Sequence, residues 1–384
     1  MNAILIRSNP IRPYPRLEKM ARCLLKCGYG VTVLAWDRDE EYDPSEEVLD
    51  LGEVQCPIIR IGLKGQFTGG IKKNLKSLLK FQIFIYRWLK EHRNEYDVIH
   101  AYDLDTGYIA QKASVLFNKV FVYDIPDYYA DSHGFTGITR KIISNTENRV
   151  INHSFATIIC SEERKEQIRQ AHPNRLYIIH NTPYIKKIEK IEDAHERLRI
   201  GYVGIFGPTR FLKEITEYVA ARSDCELHLG GYGGAGMSSY FEAMAEQYSN
   251  IYFYGRVPYD ETLRIESSCD ILPIIYDPGI PNHKYAAPNK FYEALALGKP
   301  MIMAKGTGMS SIVDEFRIGE TMEYSVEGLE KAICRLVSRK NEWLLIGRKE
   351  QELYKTTYSW DEMERRIQNL YSEIEKGAIQ CRQQ

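Results

Sequence analysis

The sequence predicts an α/β protein of two doubly wound domains, each built on a parallel sheet. Three observations lead to this prediction. Short runs of Val, Ile and Leu alternate with helical patterns almost from end to end, as in parallel sheets covered by helices on both faces. The alternation stops in a charged stretch at residues 186–196 and then begins again. A length of 384 residues also suits two domains better than a single core.

The first domain is predicted over residues 1–184. Its apolar runs predict strands at Ala3–Arg7, Val31–Ala35, Val98–Ala101, Val120–Tyr123, Thr157–Cys160 and Leu176–Ile179. Apolar residues at helical spacing predict helices at Arg16–Cys27, Leu75–Glu91, Thr106–Phe117 and around Ile142–Ile151.

The second domain is predicted over residues 198–358. Its strands are predicted at Leu198–Val203, Glu226–Leu229, Ile251–Tyr254, Ile271–Ile275 and Met301–Ala304. A last helix is predicted at about Asp361–Glu375, and we expect residues 359–384 to return to the first domain. Because ligands bind at the carboxyl ends of the strands in such sheets, two facing domains of this kind predict an active site in the cleft between them.

The composition is that of an ordinary globular protein. A formal net charge of −1 gives no general attraction for nucleic acid, so we expect no nucleic-acid partner. The eight cysteines are scattered without zinc-ligand spacing, which indicates a reducing compartment and no metal site. The first apolar run, Ala3–Ile6, is followed at once by Arg7 and prolines, so we expect no signal peptide. No apolar run is long enough to cross a bilayer. We therefore expect a cytoplasmic protein that at most rests on the inner face of the plasma membrane.

The most informative segment is PNKFYEALALGKP at residues 288–300. Asn289 is a suitable N-cap and Gly298 a suitable stop, so the segment predicts a helix. The amino end of a helix favours a phosphate, and Lys290 adds a full positive charge there. Glu293, one turn further along, is placed to accept hydrogen bonds from the two hydroxyls of a ribose. The alternative is a capped surface helix whose Lys290 and Glu293 are solvated.

This segment, with the strand Met301–Ala304 and the loop Gly306–Gly308, resembles the donor site of retaining glycosyltransferases of family 4, which have the GT-B fold. The resemblance covers most of the chain. Further similar segments are Ile200–Gly204, Tyr254–Tyr259, Ser268–Ile271 and Tyr96–Asp103.

The resemblance implies a donor site in the second domain and a role for each matching residue. It implies that Glu293 binds the donor ribose, that Asn289 and Lys290 lie near the diphosphate, and that Arg210 replaces a phosphate-binding lysine. The remaining residues that it implies at the donor site, through backbone contact or beside the base and sugar, are Pro288, Phe291, Gly204, Gly207, Lys213, Tyr254, Arg256 and Tyr285. Arg210 and Lys290 are the expected catalytic cations.

Three departures from the family pattern stand out. The family has a first glutamate eight residues before Glu293, where this chain has Tyr285. A second phosphate-binding cation is usual at position 205, which is Ile, so Lys213 or Lys290 would have to replace it. Pro126 stands where the family often has a histidine.

In the first domain, the departure at Pro126 makes Asp127 and Asp124 the nearest polar candidates. We assign Asp127 a catalytic role and Asp124 an acceptor-side role, with turn and cap residues as the alternative. The stiff loop Ser8–Arg16 is expected to point into the cleft, with Asn9 and Arg12 on the acceptor side. For Arg12, contact with the donor phosphate stays open as an alternative to an anionic acceptor. Asp103, which follows its strand, is also expected on the acceptor side. For Arg16 itself we expect a solvated side chain.

The mechanism that the resemblance implies retains the anomeric configuration and uses no protein nucleophile. The departing phosphate assists the acceptor hydroxyl, while the helix amino end and fixed cations stabilise the charge on the leaving diphosphate. No cofactor and no metal ion are then expected. Asp103 and Asp105 have DxD spacing, but they fall outside the predicted donor domain.

The function implied is transfer of a hexose from a UDP- or GDP-sugar to a glycan or lipid-linked acceptor in surface polysaccharide or glycolipid biosynthesis. A nucleotide-sugar epimerase on the same fold and a scaffold without catalysis stay open as alternatives. So does an NADP-dependent oxidoreductase, because GYGGAG at residues 231–236 matches GxGxxG. The next strand, however, ends at Tyr254–Arg256 without the carboxylate that a dinucleotide site needs.

The segment Lys72–Arg93 combines basic and aromatic residues. It carries seven cations against Glu91 alone, interleaved with Leu, Phe, Tyr and Trp. Such a helix suits the headgroup layer of an anionic membrane. The alternative is an ordinary helix with one face packed on the sheet.

Overall fold

The structure is a computed structural model that describes residues 1–65, 70–185, 195–234 and 236–382. The chain forms two compact units. Unit 1 contains Met1–His180 and Met363–Gln384, and unit 2 contains Asn181–Glu362. Most of the linker predicted at residues 186–196 lies outside the described residues.

Unit 1 is built on an eight-stranded sheet in the order β3-β4-β2-β1-β5-β6-β7-β8. Its strands are β1 (Asn2–Arg7), β2 (Gly30–Asp37), β3 (Tyr42–Asp50), β4 (Gln55–Gly62), β5 (Val98–Tyr102), β6 (Val120–Ile125), β7 (Ala156–Ile159) and β8 (Leu176–Ile178). Its helices before the linker are α1 (Pro15–Lys26), α2 (Gly70–Glu91), α3 (Asp103–Phe117), α4 (Tyr129–Ser132), α5 (Gly137–His153) and α6 (Arg164–Gln167). All strand pairs are parallel except β3 with β4.

The sequence analysis missed the antiparallel ribbon of β3 and β4. β3 has the sequence YDPSEEVLD, and most of its side chains are exposed. An edge strand needs no buried face, so it lacks the apolar run that marks the central strands. The six strands predicted for this unit are confirmed, with their ends moved by one or two residues.

Unit 2 contains two three-stranded parallel sheets, in the orders β11-β10-β9 and β12-β13-β14. The strands are β9 (Leu198–Phe206), β10 (Cys225–Gly233), β11 (Ile251–Gly255), β12 (Leu272–Ile274), β13 (Met301–Ala304) and β14 (Gly319–Met322). A parallel bridge between Ile200 and Ile271 joins β9 to the start of β12, so the two sheets continue into one another. The strand order therefore reverses between β9 and β12, which is where doubly wound sheets bind their ligands.

Helices follow these strands and close the core of unit 2. They are α7 (Leu212–Ala220), α8 (Met237–Gln247), α9 (Tyr259–Ser267), α10 (Asn289–Leu297), α11 (Ser310–Phe316), α12 (Val326–Ser338) and α13 (Trp343–Leu353). A 3-10 helix at Pro281–Tyr285 precedes α10. The prediction of parallel α/β sheets in both halves of the chain is confirmed.

The last helix, α14 (Trp360–Arg382), begins one residue before the predicted start. From Met363 onward it belongs to unit 1, where Met363, Ile367, Leu370 and Ile374 are buried. The hydroxyl of Tyr29 donates a hydrogen bond to the backbone oxygen of Tyr371, 3.1 Å away. The apolar stripe read from the sequence is therefore the face by which α14 packs in this unit.

Candidate active site

The amino end of α10 lies where the sequence places it, but Asn289 is not its cap. Pro288 is the N-cap residue, with extended backbone, and Asn289 is the first helical residue. The side chain of Asn289 is exposed and its Oδ1 accepts a hydrogen bond from Asn181, 3.3 Å away. The predicted stop is confirmed, because Gly298 has a φ of 68° and ends the helix.

Lys290 is the cation at the start of α10, and it is nearly buried. Its Nζ lies 2.8 Å from Oε1 of Glu266 and 3.7 Å from Oε2 of Glu293. It also stands 4.9 Å from the ring centre of Tyr202, and its side-chain end reaches the backbone of Gly204. Lys290 is thus an anchored cation beside the end of β9, and the solvated alternative for it is wrong.

Glu293 is also enclosed, with 4% of its surface exposed. The phenol of Tyr259, at the start of α9, lies near it. Burial, with Glu293 nearby, raises the pKa of Tyr259 above its usual value. Glu293 therefore sits at a fixed position one turn inside α10.

Glu266 is the residue of this cluster that the sequence analysis missed. It lies near the end of α9 and is 1% exposed. Burial raises its pKa to about 8, although Lys290 opposes the shift. The sequence did carry a signal for Glu266, because it stands four residues after Thr262 and so shares the buried face of α9. A carboxylate on a buried face needs a charged or hydrogen-bonding partner.

Arg210 follows β9 and is held by an aromatic ring. Its guanidinium carbon stands 3.6 Å from the ring centre of Tyr276, which follows β12. Its Nη1 is buried and has no hydrogen-bond partner among the described residues. Burial, with a contribution from Arg210, lowers the pKa of His283, whose ring stands 5.0 Å from that of Tyr276.

At this edge of the sheet, two glycines allow neighbouring backbone segments to pack directly against each other. Gly231 has a φ of 131°, and a Cβ there would overlap the carbonyl oxygen of Gly204. A Cβ at Gly308, after β13, would overlap the carbonyl oxygen of Ala286. The glycines at 231 and 233 lie within β10, and Ala235 of the GxGxxG stretch lies outside the described residues.

Two of the remaining donor-side candidates are buried in the core. Pro288 is buried, and Phe291 packs edge-on against Tyr292 and Tyr358. Both therefore support α10 and offer no side-chain surface to a ligand. Gly207 accepts a hydrogen bond from the backbone of Arg210, 3.1 Å away, and so shapes the turn after β9.

The other donor-side candidates lie nearer the surface. The hydroxyl of Tyr254 is 2.8 Å from Nδ1 of His228. Arg256 stands over the ring of Tyr232 at 4.8 Å. Lys213 is exposed, and Tyr285 is half-buried in the 3-10 helix before α10.

Asp124 and Arg16 form a buried ion pair in unit 1. Nη2 of Arg16 lies 2.7 Å from Oδ1 of Asp124, and both side chains are almost fully buried. His100 stands 3.6 Å from Oδ2 of Asp124. Burial by itself would raise the pKa of Asp124, but the opposing effect of Arg16 and His100 is larger, so the pKa lies below its usual value. The prediction of a solvated Arg16 is therefore wrong. The carboxylate of Asp124 is paired with Arg16 and His100 and is not exposed to an acceptor.

Asp103 lies at the end of β5 in a strained conformation. It is a non-glycine residue with a φ of 60°, and it pairs with Arg7. Burial raises its pKa to about 7. Its Oδ1 is buried and without a hydrogen-bond partner among the described residues.

The other first-domain candidates lie in loops after the strands. Asn9 accepts a hydrogen bond from the backbone of Ile11, 2.8 Å away. Arg12 is half exposed and its Nη1 lies 2.9 Å from Asp37. Asp127 is half exposed and lies 2.7 Å from Arg164.

No group of three or more His, Cys, Asp or Glu side chains in the described parts of the chain is placed to hold a metal ion. None of the described helices has the length and apolar character needed to cross a bilayer.

Two family models match the chain and together account for most of it. The model described as Glycosyltransferase Family 4 matches residues 16–182. The model described as Glycosyl transferases group 1 matches residues 197–339. No protein of curated function matches the chain in sequence.

Solved structures of similar fold cover nearly the whole chain. A sucrose-phosphate synthase from Thermosynechococcus elongatus is 15% identical, with a TM-score of 0.77 over 98% of this chain and 100% of that one. HepE from Anabaena, in complex with UDP, is 14% identical, with a TM-score of 0.70 over 97% and 99%. A glycosyltransferase from Rickettsia africae is 13% identical, with a TM-score of 0.68 over 98% of each chain.

Proposed function

Because the chain belongs to the family 4 glycosyltransferases and has their GT-B fold, we propose that it is a retaining hexosyltransferase. It uses a UDP- or GDP-sugar and extends a surface polysaccharide or a glycolipid. The complexes of HepE with UDP and with UDP-glucose support this class of donor.

The observation that carries the proposal is the pair of cations at the strand-order reversal of unit 2. Lys290 reaches the backbone of Gly204 from one side, and Nη1 of Arg210 is buried without a hydrogen-bond partner among the described residues. Lys290 stands at the amino end of α10 and Arg210 in the turn that follows β9, over the ring of Tyr276. Fixed positive charge and a helix amino end in an enclosed site are what a diphosphate leaving group needs.

Glu293 supplies the second part of the donor site. It is held in place by its burial and by Lys290, whose Nζ lies 3.7 Å from its Oε2. We assign it to the ribose hydroxyls of the nucleotide. Tyr254 and Arg256, at the end of β11, then flank the base, and Tyr285 with His283 faces the transferred sugar in place of the absent glutamate.

The proposed reaction needs no metal ion, because Arg210 and Lys290 provide two positive charges for the diphosphate. It also needs no protein nucleophile, because the departing phosphate assists the acceptor. Activity that survives EDTA tests the first point. The anomeric configuration of the product, read by NMR, tests the second.

We propose that unit 1 binds the acceptor through residues at the carboxyl ends of its own strands. Asp103 supports this role because its Oδ1 is buried and unpartnered among the described residues. Asn9, Arg12 and Asp127 lie in loops that follow strands of the same sheet.

The function is tested by nucleotide binding followed by product analysis. Calorimetric titration with UDP, GDP and NADP should give binding of UDP or GDP and none of NADP. Binding of NADP alone would refute the proposal in favour of an oxidoreductase. A bound nucleotide-sugar that changes configuration without any acceptor would indicate an epimerase instead, and binding without turnover on any acceptor would indicate a scaffold.

We also propose that α2 rests on an anionic membrane, as a peripheral contact on the cytoplasmic face. Its inner face, with Phe81, Phe84 and Leu89, packs in the core, as the ordinary-helix alternative expected. Its outer face carries Leu75, Leu79 and Ile83 at spacings of four residues, each about half exposed. The exposed cations of the helix flank this stripe: Lys73, Lys76, Lys80, Arg87 and Lys90. The side chain of Lys72 lies outside the described residues.

The membrane contact is tested by flotation with vesicles containing phosphatidylserine. The protein should float with these vesicles at low salt and less so at high salt, because the charges are screened. Leu79→Glu should abolish flotation, whereas Val337→Glu, at a similarly exposed apolar position on α12, should not. Equal flotation of the two variants would refute the role of α2.

A further inference from the structure

The cluster of Glu266, Lys290 and Glu293 holds more negative than positive charge. The ammonium group of Lys290 lies 2.8 Å from the carboxylate of Glu266 and 3.7 Å from that of Glu293, and all three groups are largely enclosed. Buried charges without compensation are costly, so such a cluster is most stable when one carboxylate carries a proton.

Glu266 is the member placed to carry that proton. Its Oε1 accepts the hydrogen bond from Lys290, while its Oε2 is buried without a partner among the described residues. Burial raises its pKa to about 8. A protonated Oε2 leaves Lys290 and Glu293 as a neutral pair.

The other titratable groups around Glu266 do not compete for this role. Lys290 and Glu293 approach it from α10, and Tyr202 approaches from β9. Tyr259 on its own helix and Cys269 just after it complete the surroundings. Burial raises the pKa of each of these two tyrosines and of the cysteine, so all three are neutral near pH 8.

We propose that Glu266 is a positioning residue that takes up a proton when the donor diphosphate binds, and thereby frees the charge of Lys290 for the phosphate. This inference rests on the proposed function, since it needs a diphosphate at Lys290. The incoming phosphate is an anion that competes with Glu266 for the same ammonium group, which lies against the backbone of Gly204 at the end of β9. As Lys290 turns to the phosphate, the carboxylate of Glu266 loses its cation and binds a proton from solvent.

The sign of the pH dependence follows from this exchange. The nucleotide complex holds one proton more than the free protein wherever Glu266 is ionised in the free protein. Affinity for the nucleotide must therefore fall as the pH rises through about 8, by up to about tenfold per pH unit. The phosphate groups do not contribute, because they are already ionised above about pH 7.

Calorimetric titration with UDP and GDP in two buffers of different ionisation enthalpy measures this proton uptake directly. At about pH 8 the wild-type protein should take up about half a proton per nucleotide bound, because half of Glu266 is then ionised. Glu266→Gln imitates the protonated form and keeps the hydrogen bond to Lys290. This variant should take up no proton and should bind with the same affinity between about pH 7 and pH 9.

Glu261→Gln is the matched control, because Glu261 lies on the same helix in an exposed pair with Arg264. Its proton uptake should equal that of the wild type. The inference is overturned if the wild type takes up no proton, a measurement that does not depend on any variant folding. It is also overturned if Glu266→Gln keeps the uptake. Failure of both nucleotides to bind the wild type would instead refute the proposed function, and this inference with it.

Discussion

Removal of the Arg210 guanidinium should lower the rate of sugar transfer much more than it lowers the free energy of unfolding. In Arg210→Ala the leaving diphosphate loses one fixed cation, and such a loss raises the barrier by about 3–4 kcal/mol. We therefore expect kcat to fall by about 100-fold to 1000-fold. Arg210→Lys restores the charge but not the planar fork, so it should recover only part of the rate.

The structure limits what the same change costs in folding. Arg210 contributes its contact with the ring of Tyr276 at 3.6 Å, and its Nη1 has no partner in the described parts of the chain. A cation–π contact contributes about 0.5–2 kcal/mol, so the free energy of unfolding should fall by no more than that. The increase in the activation barrier should therefore exceed the loss in the free energy of unfolding by at least about 1 kcal/mol, a factor of about five.

The assay is steady-state transfer with a saturating acceptor, together with urea unfolding of each variant. Lys331→Ala is the matched control, since Lys331 is a cation of the same unit that lies exposed on α12 in a pair with Glu327. Its kcat should stay within about threefold of the wild type, a change of less than about 1 kcal/mol in the barrier. Near-native kcat in Arg210→Ala, or an equal loss in Lys331→Ala, would refute the assignment of Arg210 to the diphosphate.

Two further predictions concern buried carboxylates, one in each unit. Glu293→Gln keeps the shape of the side chain but weakens its hydrogen bonds to the ribose, so the Kd for UDP or GDP should rise by about tenfold or more in calorimetry; unchanged binding would remove Glu293 from the ribose site. Arg16→Met leaves Asp124 buried without its main partner, so urea unfolding of unit 1 should become easier by about 3–5 kcal/mol at neutral pH. Because the folded state lowers the pKa of Asp124, the stability that it contributes is present above about pH 4 and is lost on acidification below it. The gap between Arg16→Met and the wild type should therefore narrow in acid, and a gap independent of pH would contradict the ion-pair account.

Much of the fold could be predicted because its signals are local. The central strands are continuous apolar runs. The end of α10 is marked by Gly298, because the left-handed conformation that ends a helix favours glycine. The strand β3 escaped prediction because its polar sequence lies at a sheet edge and buries no face. The cap of α10 was misplaced by one residue because both Pro288 and Asn289 suit the start of a helix, and the backbone settled the choice.

The sequence by itself determined the two parallel α/β sheets and the cation at the start of α10, since periodicity and turn chemistry are properties of neighbouring residues. The tertiary structure alone decided which charges meet. Lys290 pairs with Glu266, which is 24 residues away in the sequence, and Arg16 pairs with Asp124, which is 108 residues away. The physical reason is that a buried charge must have a partner, and the identity of that partner depends on which faces the packed helices and strands turn toward one another.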